Sequence, residues 1–165
     1  MISTEMLHRY PYFAGFSTEQ IRMLANVSEE QSVDAGHYFF HEGEELDSFY
    51  MVVEGNVSIT VDIPDRESEQ SIVQQLTNNL TTTDITVSSV GPGYTFGWSA
   101  VIPPNISTAN TKASTSCRVL RFDFRKLQSA INDDCCFGHL LVLKAAQVVR
   151  QRMRDLRIET LAEHV

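Results

Sequence analysis

The chain has 165 residues, of which 42% are hydrophobic and 21% charged, which is the size and composition of one soluble globular domain spanning 1–165. Its 13 Lys and Arg against 21 Asp and Glu give a formal net charge of -8, which disfavours a nucleic-acid-binding surface over the bulk of the protein. The longest apolar run, 49–53, is far shorter than the ~20 residues of a membrane span, and no secretory signal is recognisable, so we expect a cytoplasmic location, free thiols and no membrane contact.

The N-terminal region predicts two short helices. A first turn is expected around Thr4 to Arg9, before Pro11. The segment 17–20, Ser-Thr-Glu-Gln, matches a capping box, and Phe16 and Ile21 occupy the positions of a hydrophobic staple. A second helix is therefore predicted to begin at Ser17.

A β region follows, from about 31 to 123, in which short segments rich in Val, Ile, Phe, Tyr and Thr are separated by glycines. The even spacing predicts a small barrel or roll. The polar segment 64–84 is long for a hairpin loop, and we expect it to be an exposed excursion with a short helix or strand around 72–80. The clearer strands are predicted at 37–41, 48–53, 56–62, 85–90 and 117–122.

The C-terminal region, about 124–160, predicts a short and a long helix. Asp123 is expected to cap a helix to Ile131, and Asn132 or Asp133 a second one to about Thr160. Along the second helix Val142, Val149 and Leu156 recur every seven residues, with Ala146, Met153 and Thr160 interleaved, which is a coiled-coil pattern. The pattern favours a homodimer through the 134–160 helix; the alternative is a monomer whose helix frays after Arg152.

A cluster of small residues lies between Gly91 and Asn110. Glycine followed by a helical turn exposes several backbone N–H groups in one place, which suits an anion or a phosphate. Ser99, Ser107 and Thr108 are candidate hydroxyl donors. Taken alone the cluster is also compatible with ordinary corners at the rim of a barrel.

The order of these parts resembles the cyclic-nucleotide-binding domain of the catabolite-activator and kinase regulatory-subunit superfamily. The resemblance rests on the runs 35–44 (AGHYFFHEGE) and 49–57 (FYMVVEGNV), on Phe96-Gly97, and on the terminal helices. It implies an α+β fold, with an antiparallel β-roll of the jelly-roll type, N-terminal helices and two C-terminal helices. It also implies a regulatory role and, as ligand, a cyclic nucleotide or another small anion.

The resemblance assigns the phosphate contacts to Gly97, Ala100 and Thr108. Two departures stand out, because such domains place a glutamate after the glycine and an arginine farther along, where this chain has Trp98 and Ser107. Arg157, which shares a helix face with Arg150 and Arg154, is a candidate replacement cation; the other interpretation is a solvated charged face. The full set of ligand-binding candidates is Phe96, Gly97, Trp98, Ser99, Ala100, Ser107, Thr108, Ala109 and Arg157.

Trp98 has three interpretations: its indole stacks on a flat ligand, it plugs the ligand pocket with its own indole, or it fills the interior of the roll as a structural residue. The first belongs to a module that senses a non-standard small molecule and signals through its C-terminal helices. The second belongs to a ligand-free scaffold that acts on a protein partner, as yet unidentified.

Other chemistries are disfavoured. His37 and His41 lie ~13 Å apart if they share a strand, too far to bind one metal ion. Cys135, Cys136 and His139 have the chemistry to chelate a soft metal, but three such residues within five positions are more often part of a helix face, so no metal site or cofactor is expected. We identify no catalytic constellation and expect no enzyme. Only five residues follow Thr160, so direct DNA binding through a recognition helix is not expected.

Overall fold

The protein is described by a computed structural model covering residues 2–64 and 82–162. Its helices are α1 (Thr4–His8), α2 (Thr18–Asn26), α3 (Phe124–Asp133) and α4 (Cys135–Ala162), with 3-10 turns at Pro11–Phe13 and Trp98–Ala100. Its strands are β1 (Ser28–Val33), β2 (Tyr38–Phe40), β3 (Ser48–Glu54), β4 (Val57–Pro64), β5 (Thr82–Val90), β6 (Thr95–Phe96), β7 (Asn110–Ala113) and β8 (Cys117–Asp123).

Two antiparallel four-stranded sheets form the roll. The first has the order β1-β8-β3-β6 and the second β2-β7-β4-β5. The predicted fold class, an antiparallel β-roll with N-terminal helices and a short and a long C-terminal helix, is confirmed. None of the helices in the described ranges has both the length and the apolar character needed to span a membrane.

Each predicted strand overlaps an observed one, but β1, β6 and β7 were not predicted as strands. β6 has two residues and β7 has four, which is too few for an alternating pattern to be recognisable. The excursion predicted at 64–84, with an element at 72–80, falls mostly outside the described residues.

Side chains alternate between two cores along the first sheet. On β3, Phe49 and Met51 face the helices, whereas Tyr50 and Val52 face the second sheet. We call the first group the helix-side core; it contains Leu7, Phe13, Ile21, Phe49, Met51, Trp98, Phe122, Leu127, Phe137, Leu141 and Ala145 among others. The inner core lies between the sheets and contains Phe40, Val52, Val57, Ile59, Val90, Phe96, Ala100, Ala113 and Val119 among others.

The capping box predicted at 17–20 is confirmed: the Gln20 amide donates to Ser17 Oγ at 3.2 Å, and the Ser17 amide donates to Gln20 Oε1 at 2.9 Å. The same Gln20 side chain donates from Nε2 to Asp134 Oδ2 at 2.8 Å. This bond joins α2 to the junction between α3 and α4.

The predicted cap of the long helix was wrong by one or two residues. Asp134 has an extended backbone, and its Oδ1 accepts from the amides of Cys136 and Phe137 at 3.0 and 3.1 Å. The short helix continues through Asp133, which leaves Asn132 and Asp133 inside it. Behind the cap, Phe137, Leu141 and Ala145 bury one face of α4 in the helix-side core.

Candidate functional site

The segment 95–109, which we call the cassette, begins with β6 at the edge of the first sheet and ends just before β7. Gly97 begins its 3-10 turn with φ = 80°, a left-handed conformation that disfavours any residue with a Cβ. A Cβ added there would lie 3.2 Å from Tyr50 Cδ2 and 3.3 Å from the Ser48 carbonyl oxygen. The glycine thus allows β6 to approach β3 closely.

One amide of the predicted anion cradle is engaged within the cassette itself. The Ala100 N–H donates to the Gly97 carbonyl at 3.1 Å, and the Val101 N–H to the Trp98 carbonyl at 3.0 Å. Ala100 is buried in the inner core, Ser99 is half-buried and Thr108 is exposed. The turn therefore brings Gly97 and Ala100 together and leaves Thr108 on the surface.

Ser107 closes a loop. Its hydroxyl is buried, donates to the Ala109 carbonyl at 2.7 Å and lies 3.4 Å from the Ala109 amide. Its backbone pairs with the adjacent loop: the Ser107 N–H donates to the Glu44 carbonyl at 2.8 Å, and the Gly43 N–H donates to the Ser107 carbonyl at 2.9 Å. The residue in the arginine's place thus ties the cassette to 43–44.

Trp98 does not fill the interior of the roll, so that interpretation was wrong. Its indole lies in the helix-side core, stacked on Phe49 with centroids 4.8 Å apart and 5.6 Å from the ring of Tyr12. Its Nε1 donates to Thr95 Oγ1 at 3.0 Å. The turn at Gly97 directs this side chain to the outer face of the sheet, where the N-terminal residues cover it.

Aromatic side chains other than Trp98 fill the inner core beside the cassette. Phe96 stacks on Tyr50 with centroids 5.0 Å apart, and its ring lies 5.0 Å from Phe39 and 6.3 Å from Phe40. A nucleotide entering between the sheets beside Phe96 would have to displace these rings. Period-two alternation on β3 was the sequence signal that Tyr50 faces inward.

The candidate cation Arg157 is exposed, as are Arg150 and Arg154, whereas Arg152 contacts the cassette. Its Nη2 donates to the Thr95 carbonyl at 3.2 Å. The guanidinium is withdrawn from water, and that desolvation lowers the pKa of Arg152. Sequence analysis missed this residue, although it continues the stripe of Leu141, Ala145 and Val148 that faces the roll.

A second cation of α4 lies on the same side of the helix. Lys144 Nζ lies 5.5 Å from the ring centroid of Tyr12, and burial lowers the pKa of the Lys144 amine. The hydroxyl of Tyr12 is buried and has no hydrogen-bond partner among the described residues. A row of contacts, Lys144–Tyr12–Trp98–Thr95–Arg152, therefore connects the long helix to the start of the cassette.

Comparison with known proteins identifies the family of this fold. The model of the family described as "Cyclic nucleotide-binding domain" matches residues 30–134, which is more than half of the chain. A protein of Geobacter metallireducens GS-15, provisionally described as a cyclic nucleotide-binding protein, has a crystal structure with a TM-score of 0.73 and 27% identity, covering 93% of this chain and 99% of that one.

Two similar proteins are much longer than this chain. The cGMP-dependent protein kinase egl-4 of Caenorhabditis briggsae is 26% identical over 128 residues, which are 77% of this chain and 15% of the kinase. The CRP-like cAMP-activated global transcriptional regulator of Mycobacterium tuberculosis is 28% identical over 153 residues, which are 92% of this chain and 61% of the regulator. The chain thus spans only part of the length of either one.

Proposed function

The chain belongs to the cyclic nucleotide-binding domain family, and we propose that it is a regulatory module that senses a small molecule at the cassette and transmits the signal to α4. The observation that carries this proposal is the bond from Arg152 to the Thr95 carbonyl. A ligand that displaced β6 would change the environment of a desolvated cation on the long helix. Such a ligand moves α4 only if the protein has two conformations that differ in the position of α4, and if the ligand binds these two conformations with different affinities.

The chemistry of the cassette disfavours ordinary cyclic AMP and cyclic GMP. The glutamate and the arginine expected from the resemblance are replaced by Trp98 and Ser107, whose polar groups bond within the protein. A hydrogen bond to a charged group contributes about 1.5–3 kcal/mol, so losing two weakens binding by roughly two to four orders of magnitude. The proposed ligand is therefore a small molecule other than these two nucleotides.

The lone tryptophan provides the test. Trp98 lies between Tyr12 and Thr95, so its fluorescence reports movement of the helices against the cassette. The chain is titrated with a panel of cyclic mononucleotides, cyclic dinucleotides, linear nucleotides and inorganic phosphate, with thermal unfolding as a second readout. We expect cyclic AMP and cyclic GMP to act only at high concentration and another member of the panel to raise Tm and change the emission.

Substitution of Arg152 distinguishes transmission from binding. We expect Arg152→Met to reduce the emission change while leaving the ligand-induced rise in Tm largely in place. Arg154→Met, on the exposed side of the same helix, is the matched control and should behave like the unmodified chain. Loss of both signals in Arg152→Met would contradict the transmitting role.

The packed inner core favours a second candidate function, a ligand-free interaction module. In that case the aromatic rings of Phe39, Phe40, Tyr50 and Phe96 replace a ligand permanently. No compound of the panel then changes Tm or emission. Phe96→Ala lowers the free energy of unfolding by about 3–5 kcal/mol and confers no response to nucleotides.

Both candidates act through α4, and we propose that this helix pairs with a second copy of the chain. Val142, Val149 and Met153 are 51%, 44% and 51% exposed, and Leu156 is 43% exposed. These side chains form one stripe, which we call the seam, and its mean direction is about 70° around the helix from that of the face buried by Leu141 and Ala145. Because a seven-residue repeat is complementary to itself in a parallel pair, a second copy is the partner that fits it.

A further inference from the structure

Two side chains of types that commonly bind metal ions lie where the seam extends toward the N-terminus of α4. Cys135 precedes Val142 by seven residues, and His139 precedes Ala146 by seven. Both side chains are exposed, at the first turns of α4. The repeat that places Val142 and Ala146 in the proposed pairing surface therefore places Cys135 and His139 there as well.

Cys135 and His139 are four residues apart on one helix, so they lie one above the other on the same face, about 6 Å apart along the axis. Two ligands with this spacing bind a single zinc ion in helical motifs. One chain supplies only a pair, and no group of three or more His, Cys, Asp or Glu suited to a metal ion is found in residues 2–64 and 82–162. The site is incomplete without another copy.

We propose that two chains, paired in parallel along α4, bind one zinc-class ion through the thiolates of both Cys135 residues and the imidazoles of both His139 residues. This inference rests on the pairing proposed above. A parallel two-fold pair brings equivalent seam positions together, and two thiolates with two imidazoles are a common tetrahedral ligand set for Zn²⁺. Binding releases the thiol protons, and neutral histidine supplies a nitrogen lone pair.

Cys136 is not part of the proposed site. It lies about 100° around the helix from Cys135, away from the seam. It is thus a matched control with the same chemistry, the same helix turn and similar exposure.

The test is a titration of the reduced, metal-free chain with Co²⁺ and then Zn²⁺. We expect one Co²⁺ per two chains, with a thiolate-to-cobalt charge-transfer band and the visible spectrum of a tetrahedral ion, both removed by Zn²⁺. Cys135→Ser should abolish the charge-transfer band, and His139→Ala should abolish the tetrahedral spectrum. Cys136→Ser should keep both. Because these side chains are exposed, far-UV circular dichroism is expected to be unchanged in all three variants.

Sedimentation in the presence and absence of Zn²⁺ distinguishes failure of this site from failure of the pairing. Suppose that the chain is a dimer before any metal is added. The metal site is then overturned, and the pairing left intact, by any of three results: no cobalt spectrum, one ion bound per chain, or an equal loss of the spectrum in Cys136→Ser. A monomer both with and without Zn²⁺ overturns the pairing and the site together, whereas the Trp98 response to nucleotides is independent of either result.

Discussion

Gly97 combines a left-handed backbone with a close approach to the neighbouring strand. We expect Gly97→Ala to lower the free energy of unfolding by about 1–2 kcal/mol for the backbone conformation alone, and further because the new methyl group meets the Ser48 carbonyl oxygen at 3.3 Å. Gly36→Ala is the matched control, since Gly36 has φ = 89° and nothing within 4 Å of an added Cβ. Urea unfolding of both variants tests this; equal losses would show that the approach to β3 does not matter.

The residue scale also marks where sequence reasoning failed. Gly97 followed by a helical turn was recognisable because a glycine before a short helix is a local pattern. The direction of the Trp98 side chain depends on how the 3-10 turn is placed on the sheet, and Arg152 reaches Thr95 across 57 positions of the chain. Residue spacing does not predict such contacts between distant parts of the chain. The apolar stripe Leu141, Ala145 and Val148 does indicate that the face of α4 carrying Arg152 packs on the roll.

At the scale of elements, the start of α4 depends on the Asp134 carboxylate. Bonds from the Gln20 side chain and from the amides of Phe137 and Cys136 hold the pKa of Asp134 below its ordinary value. We expect Asp134→Ala to lower the urea midpoint at neutral pH, because it leaves these donors unpaired. Asp133→Ala, in the last turn of α3, is the matched control and should have a smaller effect.

The contribution of Asp134 depends on pH with a defined sign. Because the folded-state pKa is below the unfolded value of about 3.9, the stabilisation is present above that pH and is lost as the pH falls through the folded pKa. The difference in urea midpoint between the unmodified chain and Asp134→Ala should therefore shrink below about pH 4. A difference that stayed constant down to pH 2 would contradict the ionic character of the cap.

The angle between α3 and α4 is set by a second contact. A Cβ added at Gly138 would lie 2.7 Å from Ile131 Cγ2. Alanine ordinarily stabilises a helix by about 1 kcal/mol relative to glycine, but here we expect Gly138→Ala to lower the free energy of unfolding by about 1–3 kcal/mol through overpacking. In the Ile131→Ala background the sign should reverse. Urea unfolding of the four members of this cycle measures the coupling.

At the scale of the whole molecule, the fold places one sheet between two cores, and this arrangement connects the cassette to the helices. Phe96 and Ala100 enter the inner core, whereas Trp98 and Val101 enter the helix-side core. A displacement of the cassette therefore changes packing on both faces of the first sheet. The sequence predicted the roll and the terminal helices because they depend on local pattern, but not the division of 96–101 between the cores, which depends on tertiary packing.

Pairing of two chains along α4 would bury the seam against a partner. A carboxylate in the middle of the seam would be buried against the partner without a counter-charge, so we expect Val149→Glu to weaken the dimer by at least tenfold in Kd. Ile158→Glu is the matched control: Ile158 is 56% exposed on the same helix, but lies on the side away from the seam. Sedimentation over a range of concentrations measures Kd, and the Tm of a dimer should rise with concentration. Equal effects of the two substitutions would assign the partner surface to another part of the chain, and a concentration-independent monomer would exclude the pairing.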